Sequence, residues 1–127
     1  IKHDVALPIS VLPEFIALAE QALGAAFPDL RSVVFGHIGD GNLHYNQSRI
    51  DAADNLAFLD ARPQVNRIVH DLAHRLGGSI SAEHGIGQLK RDELPRYKQP
   101  LELDLMRAIK RALDPTGLLN PGRVVRP

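Results

Sequence analysis

The sequence predicts an α+β domain with a ferredoxin-like βαββαβ order: an antiparallel sheet with helices on one face, then a C-terminal helix and an extended tail. Three observations predict this class. Apolar residues recur at helical spacing in three segments, β-rich segments precede or separate them, and glycine or proline turns divide the elements. With 127 residues, 44% of them hydrophobic, the chain is one domain long and can bury a core.

The first strand and the first helix are predicted at the start of the chain. Residues 2–7 alternate as in a half-buried strand and stop at Pro8. A helical pattern then begins at Ser10 or Pro13 and is closed by the Phe27-Pro28-Asp29 segment. Its apolar stripe consists of Val11, Phe15, Leu18, Ala19, Ala22, Leu23 and Ala26.

The next elements are predicted as two strands and a long helical region. Residues 32–38 and 43–47 are β-rich, and residues 39–42 between them are rich in turn formers. Helical spacing extends from Asp54 to Leu76, with Pro63 marking a break or a restart, and Gly77 follows. Val65, Ile68, Val69, Leu72, Ala73 and Leu76 make its apolar stripe.

The last elements are a short strand, a helix and a tail. Residues 79–83 are a strand candidate that leads into Gly85-Ile86-Gly87. A final helix follows Pro100, with one face lined by Leu101, Leu105, Met106, Ile109 and Leu113. Asp114-Pro115 ends this helix, and the extended tail LLNPGRVVRP follows.

Composition excludes several classes of function. Fifteen basic residues balance fifteen acidic ones, so no net field favours nucleic acid or an anionic membrane. There is no cysteine, hence no disulfide and no thiolate ligand. We expect no membrane span and no signal peptide. Because the sequence begins at Ile1 without a methionine, it is expected to be part of a longer chain.

The segment GHIGDGNLH predicts a hairpin that pairs two histidines. Asp40-Gly41 favours a two-residue type I′ turn, which sets His37 directly opposite His44 with Cβ atoms about 5 Å apart. Asn46 joins them on the same face. One cation bridged by two ring nitrogens fits this geometry, although such a pair can also be a half-exposed polar couple. A phosphate-binding loop is disfavoured, because the glycine spacing is wrong and a strand follows instead of a helix.

The segment SAEHGIG supplies a third ligand candidate. Glu83 is a carboxylate that completes a three-ligand set with the two histidines and leaves open positions on Zn, Mn or Fe. His84 would then be available as a base. The alternative is a carboxylate at a strand end beside a solvated histidine. His70 and His74 have i, i+4 spacing without the glutamate of a zinc motif, so a solvated helix face is expected, and His3 has no evident partner.

Three motifs in order resemble one family. GHIGDGNLHYN, then SAEHGIG followed by Lys90, then LDPTGLLNPGRV look like the C-terminal domain of FAD-linked 2-hydroxy-acid dehydrogenases and oxidases. That family includes D-lactate dehydrogenases, the glycolate oxidase FAD subunit and D-2-hydroxyglutarate dehydrogenase. The opening KHDVALP also resembles the family's Lys-x-Asp-x-x-x-Pro segment, so the likeness covers essentially the whole chain.

The resemblance implies a role for individual residues. Residues 1–127 would be a single C-terminal cap, or substrate, domain whose N-terminal FAD-binding domain is absent here. The positions matching His37, His44 and Glu83 hold a divalent ion, Zn or Mn, in metal-dependent members, and the position matching His84 is the base. Those matching Lys2 and Asn46 contact the substrate, and Asn120 lies where the family approaches the flavin. NPGR replaces the commoner NPGK, which leaves the metal assignment intact.

The implied function is oxidation of a D-2-hydroxy acid to the 2-oxo acid by FAD, with the fragment alone inactive. Expected partners are the small 2-hydroxy acid, the chain's own FAD domain and a separate electron acceptor, in the bacterial cytoplasm. One alternative is a stand-alone divalent-metal-binding or metallohydrolase-like domain without flavin. Another is a non-catalytic ferredoxin-like interaction module.

Overall fold

The chain forms two compact units. The computed structural model describes residues 1–126; the first unit is Ile1–Glu83, and the second begins at His84. The first unit contains a sheet and two long helices. The second contains one long helix and a tail with little regular structure.

The sheet of the first unit has three strands in the order β1-β3-β2. Strands β1 (Asp4–Ala6) and β2 (Leu30–His37) each pair antiparallel with β3 (Asn42–Arg49), which lies between them. β1 and β2 are therefore parallel to each other, and helix α1 (Leu12–Ala26) connects them in a split β-α-β arrangement.

The helices cover one face of this sheet. After β3 come a short helix α2 (Asn55–Phe58), a 3₁₀ turn, and helix α3 (Arg62–Arg75). Pro63 lies in the first turn of α3, where its missing N–H has no intrahelical partner to lose, so the predicted restart is confirmed. The core consists of residues from β1, α1, β3, α2, α3 and the segment after β1: Val5, Leu7, Leu12, Phe15, Ala19, Leu23, Leu43, Tyr45, Phe58, Val65, Val69, Leu72 and Ala73.

The opposite face of the sheet, called the open face below, carries alternate residues of the same strands. Val33 and Phe35 of β2 are exposed there, although both are large and apolar. Side chains alternate between the two faces along each strand, so the strand register decides which residues lie in the core and which lie on the open face.

The α+β class is confirmed, but the predicted fourth strand is wrong. In residues 79–83 only Ser79 bridges to a strand, at Ala6 of β1. The backbone N–H groups of Ala82 and Glu83 donate instead to the buried carboxylate of Asp4. Since a side chain takes the donors that a neighbouring strand would need, no further ladder forms there, and the complete ferredoxin-like sheet is not formed among residues 1–126.

One helical segment meets the length and composition of a membrane span. Ile9–Ala26 has a mean hydropathy of 1.3 over 18 residues. No segment of this kind was predicted from the sequence. A helix in a protein core passes the same test, and Phe15, Ala19 and Leu23 of this segment are buried in the core. The absence of a membrane span stays a prediction.

The second unit is built around helix α4 (Pro100–Leu113), as predicted. Gln99 and Glu102 form a reciprocal capping box at its start, which satisfies two backbone donors. At its end, the Asp114 carboxylate accepts from the backbone N–H groups of Leu118 and Leu119 and so folds the tail back. The apolar stripe of α4 is exposed at Leu101, Leu105, Ile109 and Leu113.

Candidate functional site

The hairpin of β2 and β3 has a different register from the predicted one. His37 lies opposite Asn42, and Phe35 lies opposite His44, so the two histidines are diagonal neighbours and are not directly opposed. The loop is longer than two residues because residues 38–40 form a 3₁₀ turn and Gly41 follows with a φ of 66°. A Cβ at Gly41 would lie 2.0 Å from the backbone oxygen of Leu7, so this position requires glycine.

The two histidines nevertheless share the open face. The register shifted by two residues, and a shift of two returns each side chain to the face it would have occupied. The imidazole rings of His37 and His44 have centroids 6.4 Å apart and planes at 77°. The prediction that both rings lie on one face of the hairpin is confirmed, and only their direct opposition is wrong.

Glu83 joins the two histidines in space. Its Oε1 atom lies 3.3 Å from Nε2 of His37 and 3.5 Å from Nε2 of His44. The three donor atoms all lie within 4.8 Å of one another. In a tetrahedral site with metal–ligand bonds of about 2.1 Å, donors stand about 3.4 Å apart. The spacing therefore fits three ligands of one divalent ion.

The three donors differ in exposure, which leaves one side of the cluster accessible. The side chain of His44 is only 12% exposed, whereas those of Glu83 and His37 are 48% and 65% exposed. A cleft of about 470 Å³ opens beside them, lined by Ala6, His37, Asp40, Asn42, Ala82 and Glu83. A ligand that reaches the cluster through this cleft would meet the imidazoles of His37 and His44 and the carboxylates of Glu83 and Asp40.

The two predicted substrate-binding residues, Lys2 and Asn46, lie on the open face with the cluster. Backbone N–H groups of Tyr45 and Gln47 donate to the carbonyls of His3 and Ile1 at 3.0 and 2.8 Å, which continues the β1–β3 register beyond β1. Asp4 lies opposite His44 in that register. Two residues earlier in one strand and two later in the other, Lys2 and Asn46 therefore stand opposite each other, next to the histidines.

The other two predicted residues lie in the second unit. His84 follows Glu83 directly in the chain and is exposed. Asn120 lies in the tail with a φ of 46°, and its carbonyl accepts from the N–H of Arg123 at 3.3 Å. The roles of both residues stay predictions.

Comparison with known proteins places the chain in a family. The family model "FAD linked oxidases, C-terminal domain" matches residues 1–124. The chain belongs to this family. A D-2-hydroxyglutarate dehydrogenase of Xanthomonas citri pv. viticola is 46% identical over 123 residues, 97% of this chain and 26% of that protein.

Two further relatives carry the same name. The D-2-hydroxyglutarate dehydrogenase of Stutzerimonas stutzeri is 41% identical over 123 residues, 97% of this chain and 26% of that protein. The mitochondrial D-2-hydroxyglutarate dehydrogenase of Arabidopsis thaliana is 38% identical over 125 residues, 98% of this chain and 21% of that protein. The chain thus spans about a quarter of the length of these relatives or less.

Three residues around the cluster of this FAD-linked oxidase domain were missed by the sequence analysis. The Asn42 side-chain nitrogen donates to Oε1 of Glu83. The ring of Phe35 lies against His44, with centroids 4.9 Å apart. Asp4 is 1% exposed and accepts from the backbone of the segment that carries Glu83. Strand alternation from Lys2 would have placed Asp4 on the open face, but its partner 79 residues away has no local signal.

The FAD-linked oxidase domain also contains a buried histidine pair that the sequence analysis did not expect. His70 is buried and its ring lies 5.3 Å from that of His3, so the predicted solvated face is wrong for His70 and confirmed for His74, which is exposed. His3 Nδ1 lies 3.0 Å from the carbonyl oxygen of Tyr45, and its Nε2 lies 2.9 Å from the side-chain amide of Asn66. Burial, and then the neighbouring His70, lower the pKa of His3 to about 4.

Proposed function

We propose that this chain is the substrate-binding part of an FAD-dependent dehydrogenase that oxidises a D-2-hydroxy acid to the 2-oxo acid. The observation that carries the proposal is the cluster of His37, His44 and Glu83 beside an open cleft, in a chain of the FAD-linked oxidase family. The names of the relatives make D-2-hydroxyglutarate the first substrate to test.

We further propose that these three residues hold a divalent metal ion, zinc or manganese. Two neutral imidazoles and one carboxylate suit either ion, and three protein ligands leave positions for substrate oxygens. The donor distances of 3.3 and 3.5 Å support this assignment. When bound, such an ion supplies Lewis acidity that makes a coordinated hydroxyl group more acidic.

The chain's own residues then divide the remaining work. His84 takes the proton of the 2-hydroxyl group, because the unprotonated nitrogen of a neutral imidazole can accept a proton. Lys2 neutralises a substrate carboxylate, and the Asn46 amide hydrogen-bonds beside it, since both stand on the open face. Asn120 contacts the flavin from the tail. FAD, held mainly by a separate N-terminal domain, supplies the redox chemistry.

The wider setting of the domain belongs to the same proposal. Residues 1–127 act as one C-terminal cap domain of a larger flavoenzyme, which passes its electrons to a separate acceptor. A bacterial cytoplasmic location stays a prediction.

The function is tested on the gene product that contains this chain. We expect a yellow protein whose flavin absorption is bleached under anaerobic conditions by D-2-hydroxyglutarate or another D-2-hydroxy acid, and not by the L-enantiomer. His84→Gln should slow bleaching by about 10²–10⁴-fold, as loss of a general base does, whereas His74→Gln should not. A protein without flavin would refute the proposal and favour the metal-binding alternative.

The metal site is tested on the 127-residue chain itself, because it contains all three proposed ligands. Metal-free protein is equilibrated with zinc or manganese, and bound metal is counted by elemental analysis. We expect one ion per chain, and its loss in the double variant His37→Ala/His44→Ala. His74→Ala, which removes an exposed imidazole of α3, is the matched control. Equal metal content in the double variant and the parent chain would refute the site.

A further inference from the structure

A buried carboxylate lies behind the proposed metal ligands. Asp4 is at the start of β1, on the open face, and is 1% exposed. A carboxylate is costly to bury unless hydrogen bonds compensate for its lost hydration. The hydrogen-bond and charge partners of Asp4 therefore show what its burial contributes to the structure.

One oxygen of Asp4 holds the backbone that presents Glu83. Oδ2 accepts from the N–H of Ala82 at 3.0 Å and from the N–H of Glu83 at 2.9 Å, and the Ser81 hydroxyl lies 3.4 Å away. The strand ladder ends at Ser79, so it does not position this segment. The carboxylate of Asp4 fixes the backbone at the point where Glu83 turns toward the histidines.

The other oxygen of Asp4 faces the ring of His44. Oδ1 lies 3.8 Å from Nδ1 of His44, within ion-pair distance, while Nε2 of the same ring lies 3.5 Å from Oε1 of Glu83. A proton on Nδ1 is attracted by the carboxylate, and this tautomer leaves the Nε2 lone pair directed at the ligand cluster. The two nitrogens thus have different neighbours and different tasks.

We propose that Asp4 is a positioning residue that sets two of the three ligands at once, the backbone of Glu83 and the tautomer of His44. This inference rests on the metal site of the proposed function. It assigns Asp4 no contact with substrate or flavin, and its effect passes through the two ligands that it holds.

The variant Asp4→Asn separates these two tasks. The N–H groups of Ala82 and Glu83 need an acceptor, so the asparagine oxygen must take the place of Oδ2. Its NH₂ group then faces Nδ1 of His44, which favours Nδ1 as an acceptor and moves the ring proton to Nε2, the nitrogen that would bind metal. The backbone support is retained while the tautomer is reversed.

Two measurements on the 127-residue chain test the inference. Zinc affinity is measured by competition with a chromophoric chelator, and the tautomer of His44 is read from long-range ¹H–¹⁵N NMR spectra of the metal-free protein. We expect Asp4→Asn to weaken zinc binding by about 10–100-fold, the usual cost of losing a partner behind a histidine ligand. We expect the ring proton on Nδ1 in the parent chain and on Nε2 in the variant.

Asp114→Asn is the matched control. Asp114 is also buried and also accepts from two backbone N–H groups, those of Leu118 and Leu119, but it belongs to the second unit, whereas the proposed ligands belong to the first. We expect this variant to lower thermal stability without a change in zinc affinity. A comparable loss of zinc affinity in both variants would show a general stability effect and overturn the inference.

The possible failures are distinguishable. If the parent chain binds neither zinc nor manganese, the proposed metal site fails, and the tautomer measurement still decides the role of Asp4. Equal zinc affinity in the parent chain and Asp4→Asn would overturn the inference while the metal site stands. If Asp4→Asn does not fold, the spectrum of the parent chain is sufficient, because a ring proton on Nε2 there contradicts the proposed orientation.

Discussion

The buried ring of His3 should make the stability of the first unit depend on pH. The pKa of His3 is lowered to about 4 from the 6.5 of an exposed histidine, mainly by burial, so the folded state favours the neutral ring. Between these two values the unfolded chain binds more protons than the folded one. Stability contributed by neutral His3 is therefore present above pH 6.5 and is lost as the pH falls toward 4.

The magnitude follows from the two pKa values. With a shift of roughly 2.5 pH units, linkage gives a loss of about 2 kcal/mol of unfolding free energy between pH 7.5 and pH 5, and about 3 kcal/mol near pH 4. The range from pH 7.5 to 5 is preferable for measurement, because most carboxylates stay ionised there. A loss of this size is a large fraction of the total stability of a small domain.

The assay is urea unfolding of the parent chain and of His3→Gln at four pH values from 5 to 7.5. Glutamine cannot titrate, so the difference in unfolding free energy between the two proteins should change by about 2 kcal/mol across this range. His74→Gln, which removes an exposed histidine of the same unit, is the matched substitution control. A slope in His3→Gln that equals the parent slope would show that His3 does not titrate as its burial requires.

Two further predictions concern packing. Gly36→Ala in β2 should destabilise the protein by about 1–3 kcal/mol in urea unfolding, because the new Cβ would lie 2.2 Å from the backbone oxygen of Asn42. Gly39→Ala in the adjoining turn meets nothing within 4 Å and should change stability by less than about 0.5 kcal/mol, and similar values for both variants would contradict this close approach. Phe15→Ala should cost about 3–5 kcal/mol, because the ring is fully buried and packs edge-to-face on Tyr45, and a cost below about 1 kcal/mol would show that the site collapses to fill the space.

Much of the fold is predictable from the sequence because its signals are local. The stripe of α3 was correctly predicted from residues such as Val65 and Val69, which recur at helical spacing and are buried. The burial of His70 was not predictable in the same way. Its partner His3 lies 67 positions earlier in the chain, and only the packing of α3 on β1 brings the two rings together.

The position of Glu83 shows why the fourth strand was wrongly predicted. Residues 79–83 have a strand-like composition, and composition does not reveal which donors a distant side chain will take. The N–H groups of Ala82 and Glu83 go to Asp4, which is 78 and 79 residues away in the chain. The buried carboxylate of Asp4 thus prevents a fourth strand and holds the backbone that brings Glu83 beside His37 and His44.

The histidine pair shows how a wrong register can still place two side chains on the same face of a hairpin, as predicted. The Asp40-Gly41 turn signal predicts that paired residues sum to 81, whereas the observed pairs, such as Phe35 with His44, sum to 79. Both sums are odd, so His37 and His44 stay on one face in either register. A shift of one residue would have turned one ring toward α1 and α3 and removed it from the cluster. Prediction of a cross-strand site from sequence therefore depends on whether the loop has an even or odd number of residues more than on its length, and here the two-residue and four-residue loops are both even.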